Sequence, residues 1–157
     1  GYVECLNEII KVNKKYNFSQ IIHATGSAGT QAGLLAGRKY FNVNIPVTGI
    51  CVRHKKDIQV DKVYEEAKKT CEKLRCNILD KSDVIVYDEY IGPGYGEPTE
   101  SMIEATKLLA RKEAILLDPV YSGKAFDGLL DLVKKNYFKK NSYCYINFIF
   151  RSNGYIG

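Results

Sequence analysis

The stretch HATGSAGTQAGLLAG, residues 23–37, sets Gly26 and Gly29 among the hydroxyls of Thr25, Ser27 and Thr30, directly after the apolar pair Ile21 and Ile22. In a turn from a buried strand into a helix, such a loop can take positive φ at its glycines and leave backbone N–H groups uncovered. Those groups, the positive end of the helix dipole and the hydroxyl donors make Thr25 to Thr30 a candidate anion site that needs no metal. It is not a nucleoside-triphosphate loop, because no lysine completes Gly-x4-Gly-Lys-Ser/Thr, and it lacks the Gly-x-Gly-x-x-Gly of dinucleotide folds. A packing explanation stands beside it: Gly29, Gly33 and Gly37 recur every four residues and would lay a glycine stripe on one helix face. An interior helical glycine costs ~1 kcal/mol relative to alanine, so a stripe implies a packing benefit, whereas packing does not explain Thr25 and Ser27. Both can hold at once.

Two further loops carry tyrosines. DEYIGPGYGEP, residues 88–98, presents Tyr95 between Gly94 and Gly96, and DPVYSGK, residues 118–124, presents Tyr121 ahead of a helix. A phenol, with an ordinary pKa near ~10, serves as a general acid, or as a base or nucleophile where a cation lowers that value. The plainer role is a packed ring with its hydroxyl on a backbone group. Two tyrosines converging on one rim beside an anion loop favour the chemical role. The histidines receive none: His23 falls within a strand, and His54 stands beside Arg53, Lys55 and Lys56, whose charges oppose its protonation. No Gly-x-Ser-x-Gly elbow supports a Ser-His-Asp triad.

A regular alternation of elements is needed to bring these loops together. Helix 2–15 is followed by strand 20–25, a helix from about 30 to 40, strand 47–52, and a long helix in which Val60, Val63, Tyr64, Ala67, Cys71 and Leu74 repeat at three and four residues. Strand 83–87 leads to a helix over 99–112 with Thr99 as N-cap, a short strand over 114–117, a helix ending near Tyr137 and a final strand over 143–150. This pattern predicts an α/β domain with a mostly parallel sheet, helices on both faces and ligands at the carboxyl ends of the strands.

With 157 residues, 45% hydrophobic and 26% charged, the chain can form one domain with a real core. No apolar run reaches the ~18 residues of a membrane span and no leader precedes the first helix, so a cytoplasmic location without membrane contact is expected. The net charge of +5 falls on lysine pairs at polar helix faces and helix ends, which indicates solvated surface rather than a nucleic-acid footprint. Five scattered cysteines, with Cys71 and Cys76 inside an expected helix and no histidine near them, point to buried or incidental thiols and to no metal. The chain opens at Gly1 already in helical periodicity and stops just after a strand-like run, as a fragment of a longer protein would.

ATGSAGTQAGLLAG, DEYIGPGYGEPTE with the following ARKEAILLDPVYSGKAFDGL, and the opening GYVECLNEI together resemble the D-cysteine desulfhydrase and 1-aminocyclopropane-1-carboxylate deaminase family over residues 1–149. The resemblance implies a tryptophan synthase β-like fold (fold type II) and pyridoxal 5'-phosphate as cofactor. It implies that Thr25, Gly26, Ser27, Ala28, Gly29 and Thr30 form the phosphate cup. Tyr95 and Tyr121 would then face the substrate side of the pyridoxal ring, for proton transfer or, in the cyclopropane enzymes, as a candidate nucleophile. A small amino-acid substrate and a homodimer of the full-length protein are further expectations. Cyclopropane deaminases of the family carry a glutamate after the second tyrosine; Ser122 stands here, which favours β-elimination from D-cysteine or a related amino acid to pyruvate, ammonia and sulfide. The cyclopropane deaminase and a non-catalytic phosphate-binding remnant are the alternatives. The family's Schiff-base lysine, in a Gly-Asn-Lys context, is expected N-terminal to Gly1, so this chain alone should be inactive. Where the family continues its last strand into His-Ser/Thr-Gly-Gly, this chain has Phe150-Arg151-Ser152-Asn153-Gly154-Tyr155. A partial domain should also expose apolar surface and dissolve poorly.

Overall fold

Apolar residues at helical spacing set the helices, and four of them stop where the chain turns left-handed. The computed structural model describes residues 1–139 and 142–147. In it α1 (Tyr2–Tyr16), α2 (Gly29–Phe41), α3 (Lys56–Leu74) and α4 (Glu100–Glu113) close on Asn17, Asn42, Arg75 and Ala114, with φ of 51, 52, 55 and 55°. This geometry returns an N–H to an otherwise unpaired last-turn carbonyl. Thr99 caps α4 as expected, its Oγ1 accepting from the Met102 N–H at 3.2 Å. The fifth helix is α5 (Ser122–Lys134).

Strands β1 (Phe18–Thr25), β2 (Val47–Cys51), β3 (Ile85–Tyr87) and β4 (Tyr143–Asn147) form a parallel sheet in the order β3-β2-β1-β4. Alternate strand residues enter opposite layers. Ile21, Val47 and Cys51 join Leu6, Leu34, Val63 and Ala67 in one core, beneath α1, α2 and α3. Ile22 and Ile50 join Ala125 and Leu132 of α5 in the other, and α4 packs on the outside of α5. Helices therefore cover both faces of the parallel sheet, as the alternation predicts.

Part of the glycine stripe serves packing. A Cβ at Gly33 would lie 2.6 Å from the Tyr2 Cβ, and one at Gly37 would lie 3.0 Å from a Leu6 methyl, so these glycines let α1 and α2 approach closely. Gly29 departs from that pattern: a Cβ there would meet nothing within 4 Å.

Two local expectations need correction, and a third reaches past the described residues. Residues 114–117 do not form a strand: Ala114 turns into the left-handed cap of α4, Leu116 is 77% exposed, and no described strand lies alongside to complete a ladder. Cys76 lies beyond the end of α3, while Cys71 lies within it. The final strand is seen over Tyr143–Asn147, and its expected continuation to residue 150 lies outside the described residues. The cysteines of the described residues are free thiols, with Cys51 and Cys71 buried, and no cluster of His, Cys, Asp or Glu there could hold a metal. No helix among the described residues is long and apolar enough to cross a membrane.

Candidate functional site

Because the strands are parallel, Thr25, Cys51 and Tyr87 end at the same edge of the sheet, and the loops that follow open on one rim. The first is the glycine loop. Thr25 is buried, its carbonyl accepting from the Val52 N–H at 3.0 Å and its Oγ1 accepting from the Gln59 side-chain amide at 2.8 Å. With that acceptor role filled by α3, the Thr25 hydroxyl proton is directed elsewhere. Ser27 and Gly29 are exposed, whereas Ala28 and Thr30 are buried.

The positive φ expected at Gly26 and Gly29 is found instead at Ala28, with φ 74° and ψ −31°. A residue with a Cβ is strained there, on the order of 1–3 kcal/mol. Ala28 is also the N-cap of α2 and has no side-chain acceptor to offer, so the first-turn N–H groups of that helix are left to a ligand. Together with the open space at Gly29, this is a backbone cradle suited to a phosphate-sized anion. On the α3 side of the loop, a cavity of about 390 Å³ is lined by Ser27, Ala28, Gly29, Asp61, Lys62, Glu65 and Glu66. Its three carboxylates disfavour an anion on that side. A larger cavity of about 700 Å³ lies between α4 and α5 and includes neither the glycine loop nor Tyr95 nor Tyr121.

The two tyrosine loops meet at this rim. The hydroxyls of Tyr95 and Tyr121 share a hydrogen bond, with ring centroids 6.0 Å apart and planes at 71°. A Cβ built on Gly26 would lie 3.8 Å from the Tyr121 ring, which puts that ring directly over the glycine loop. Asp118 fixes its position: one carboxylate oxygen accepts from the N–H groups of Val120 (2.9 Å) and Tyr121 (2.7 Å), the other from the Ser122 N–H (2.9 Å) and hydroxyl. Burial works to raise the Asp118 pKa, but these donors outweigh it and hold the carboxyl below its ordinary value. Ser122 is buried in this turn, its hydroxyl accepting from the Asp118 N–H at 2.8 Å. Tyr95 carries the Arg53 guanidinium over its ring, 5.5 Å from the centroid.

The histidines stay outside this chemistry. His23 is fully buried, which pushes its pKa from 6.5 to about 4; Nδ1 lies 2.8 Å from the Ala24 carbonyl and Nε2 has no partner among the described residues. Slight burial and the charges of Lys62 and Arg53 lower His54. Burial drives the Cys51 thiol up to about 12, which removes it as a nucleophile at neutral pH.

Thus the structure joins the cradle, Tyr95 and Tyr121 at one place, and it adds three residues that sequence reasoning missed: Arg53, Gln59 and Lys124, whose ammonium donates to the carbonyl of Gly94, next to Tyr95, at 3.0 Å. Gln59 is 34 positions from Thr25, and no local pattern could have linked them. Lys124 left a signal, since a cation in the first turn of a helix opposes the dipole.

Comparison with known proteins agrees with this architecture. A crystal structure described as that of "the ACC deaminase homologue" superposes with a TM-score of 0.82 at 32% identity, over 92% of this chain and 43% of that one. This chain therefore spans less than half of that protein's length, and its sheet and helices are those of a fold type II pyridoxal-phosphate enzyme. The family model for pyridoxal-phosphate dependent enzymes matches residues 1–148, and by that match the chain belongs to the pyridoxal-phosphate dependent enzyme family.

Proposed function

We propose that the protein containing this chain is a pyridoxal-phosphate lyase that removes a β-substituent from a small amino acid, with D-cysteine or a close relative as substrate and pyruvate, ammonia and sulfide as products. The observation that carries the reading is the Tyr95–Tyr121 hydroxyl pair standing over the glycine loop. The residues present fit the cofactor's phosphate: the uncapped start of α2 offers N–H groups, Gly29 leaves room before them, and Ser27 is exposed to add its hydroxyl. Thr25 to Thr30 would hold that phosphate, with Gln59 orienting the Thr25 hydroxyl.

When bound, the cofactor supplies the electron sink for negative charge at the substrate Cα. The protein's part is orientation and proton handling. The shared hydrogen bond lets a proton rest on either phenol oxygen, so one tyrosine can give or take a proton at the substrate while the other stabilises the charge left behind. Arg53 packs its guanidinium over the Tyr95 ring, a cation–π contact that helps to orient the phenol.

A second reading, 1-aminocyclopropane-1-carboxylate deaminase, draws support from the similarity to a protein described as a homologue of that enzyme. Ser122 in place of a glutamate favours the desulfhydrase. Supplying the full-length protein with pyridoxal phosphate and each substrate separates them: sulfide and pyruvate from D-cysteine are expected, and 2-oxobutyrate from the cyclopropane substrate alone overturns the first reading. Failure of added cofactor to give any visible absorbance would overturn both in favour of a non-catalytic phosphate-binding protein. A homodimer and a cytoplasmic location belong to the same proposal, and sedimentation and cell fractionation test them.

A further inference from the structure

Lys124 is fully buried, in the first turn of α5, three residues after Tyr121. Its ammonium donates to the carbonyl of Ile91 at 2.6 Å and to that of Gly94 at 3.0 Å. Both acceptors belong to the loop that carries Tyr95. Burial lowers the Lys124 pKa and the negative charge of Glu97 opposes that. A buried ammonium is costly to desolvate, and here two backbone carbonyls offset that cost.

The loop shows what that is. Its N-terminal root is secured elsewhere, by the Tyr90 hydroxyl on Asp131 at 2.7 Å and by Asp88, whose carboxylate accepts from the Lys56 N–H at 3.0 Å. Beyond that root, Gly92 and Gly96 adopt positive φ of 72° and 81°, and residues 92–97 are largely exposed. Within that tip the backbone hydrogen bond is Glu97 N–H to Gly94 carbonyl, at 3.2 Å, which ties the tip to itself and not to the fold. Lys124 supplies the connection to the core, and it does so at Gly94, the residue before Tyr95. Since Lys124 and Tyr121 rise from the same helix end, the tether and the phenol pair span one short distance from two sides.

We propose that Lys124 is a positioning residue: its buried ammonium pins the Ile91 and Gly94 carbonyls and thereby holds the Tyr95 hydroxyl on that of Tyr121. The tether itself follows from the fold, and its effect on turnover rests on the function proposed above. Lys124→Met keeps the apolar stem and removes the donors.

In the full-length protein, Lys124→Met should speed amide exchange in residues 91–97 about tenfold or more, while exchange in α2 and β1 is unchanged. The turnover number should fall about tenfold with little change in KM, because geometry and not affinity is lost. In a Tyr95→Phe background the same substitution should cost nothing more, since the hydroxyl it positions is gone. Lys124→Arg, which retains donors, should restore part of the protection, and Lys124→Gln provides the comparison should the methionine variant not accumulate. Unchanged exchange in 91–97 overturns the tether. An equal loss of turnover with and without the Tyr95 hydroxyl overturns the positioning role. If the wild-type protein has no lyase activity, the functional reading fails, while the exchange experiment still decides on the tether.

Discussion

The two ends of the rim are built in opposite ways. The glycine loop is a backbone device: it joins consecutive elements, β1 and α2, and its binding groups are N–H groups at an uncapped helix start. The tyrosine end is a side-chain device assembled from distant segments, with Tyr95 meeting Tyr121 across 26 positions, Arg53 covering the ring and Lys124 reaching back to the loop. Local geometry suffices to hold an anion, which needs only a few fixed dipoles. Sharing a proton between two phenols requires sub-ångström placement, and only a packed core provides that.

That contrast can be broken most severely at the tyrosines. Tyr121→Phe removes the shared hydroxyl and should lower the turnover number of the full-length protein roughly 10²-fold, with the melting temperature little changed, since the phenol is 41% exposed. Steady-state kinetics beside thermal unfolding check this, and an unaffected turnover number would remove Tyr121 from the mechanism.

A pair of substitutions separates cradle from packing within the glycine stretch itself. Gly33→Ala drives a Cβ against Tyr2 and should cost about 1–3 kcal/mol of stability. Gly29→Ala meets no protein atom, so stability should hold while affinity for pyridoxal phosphate drops. Denaturant titration and equilibrium dialysis measure the two effects. A large stability loss at Gly29 would return that residue to the packing stripe.

His23 lies in the strand beneath the cradle and contributes a pH dependence. Its pKa is depressed in the folded protein to about 4 against 6.5 for an ordinary imidazole, so below pH 6.5 the unfolded chain binds the proton the folded one refuses. Stability is full above 6.5 and is lost as pH falls toward 4, by about 2 kcal/mol between pH 7 and 5. Urea unfolding at the two pH values should show this, and His23→Gln should abolish most of the difference.

The smallest effect is expected far from the rim: Thr99→Ala removes the N-cap of α4 and should cost ~1 kcal/mol without altering turnover.

Alternating apolar runs and helical periodicity determined the α/β class, the parallel sheet and the loops that carry Thr25 to Thr30, Tyr95 and Tyr121, because side-chain periodicity is a local property of the backbone. Thr99 as a cap was legible for the same reason. Residues 114–117 were misread since a strand exists only where a neighbour supplies its ladder, and four apolar residues do not say whether one is there. Ala28, and not a glycine, took the left-handed turn because the surrounding strand and helix impose that conformation on whichever residue occupies the position. The tertiary structure alone decided that Ser122 turns inward to Asp118, that Gln59 backs Thr25, and that a buried lysine ties down the loop of Tyr95. Each is a contact between segments far apart in the chain or a choice of side-chain direction, and neither is encoded in spacing.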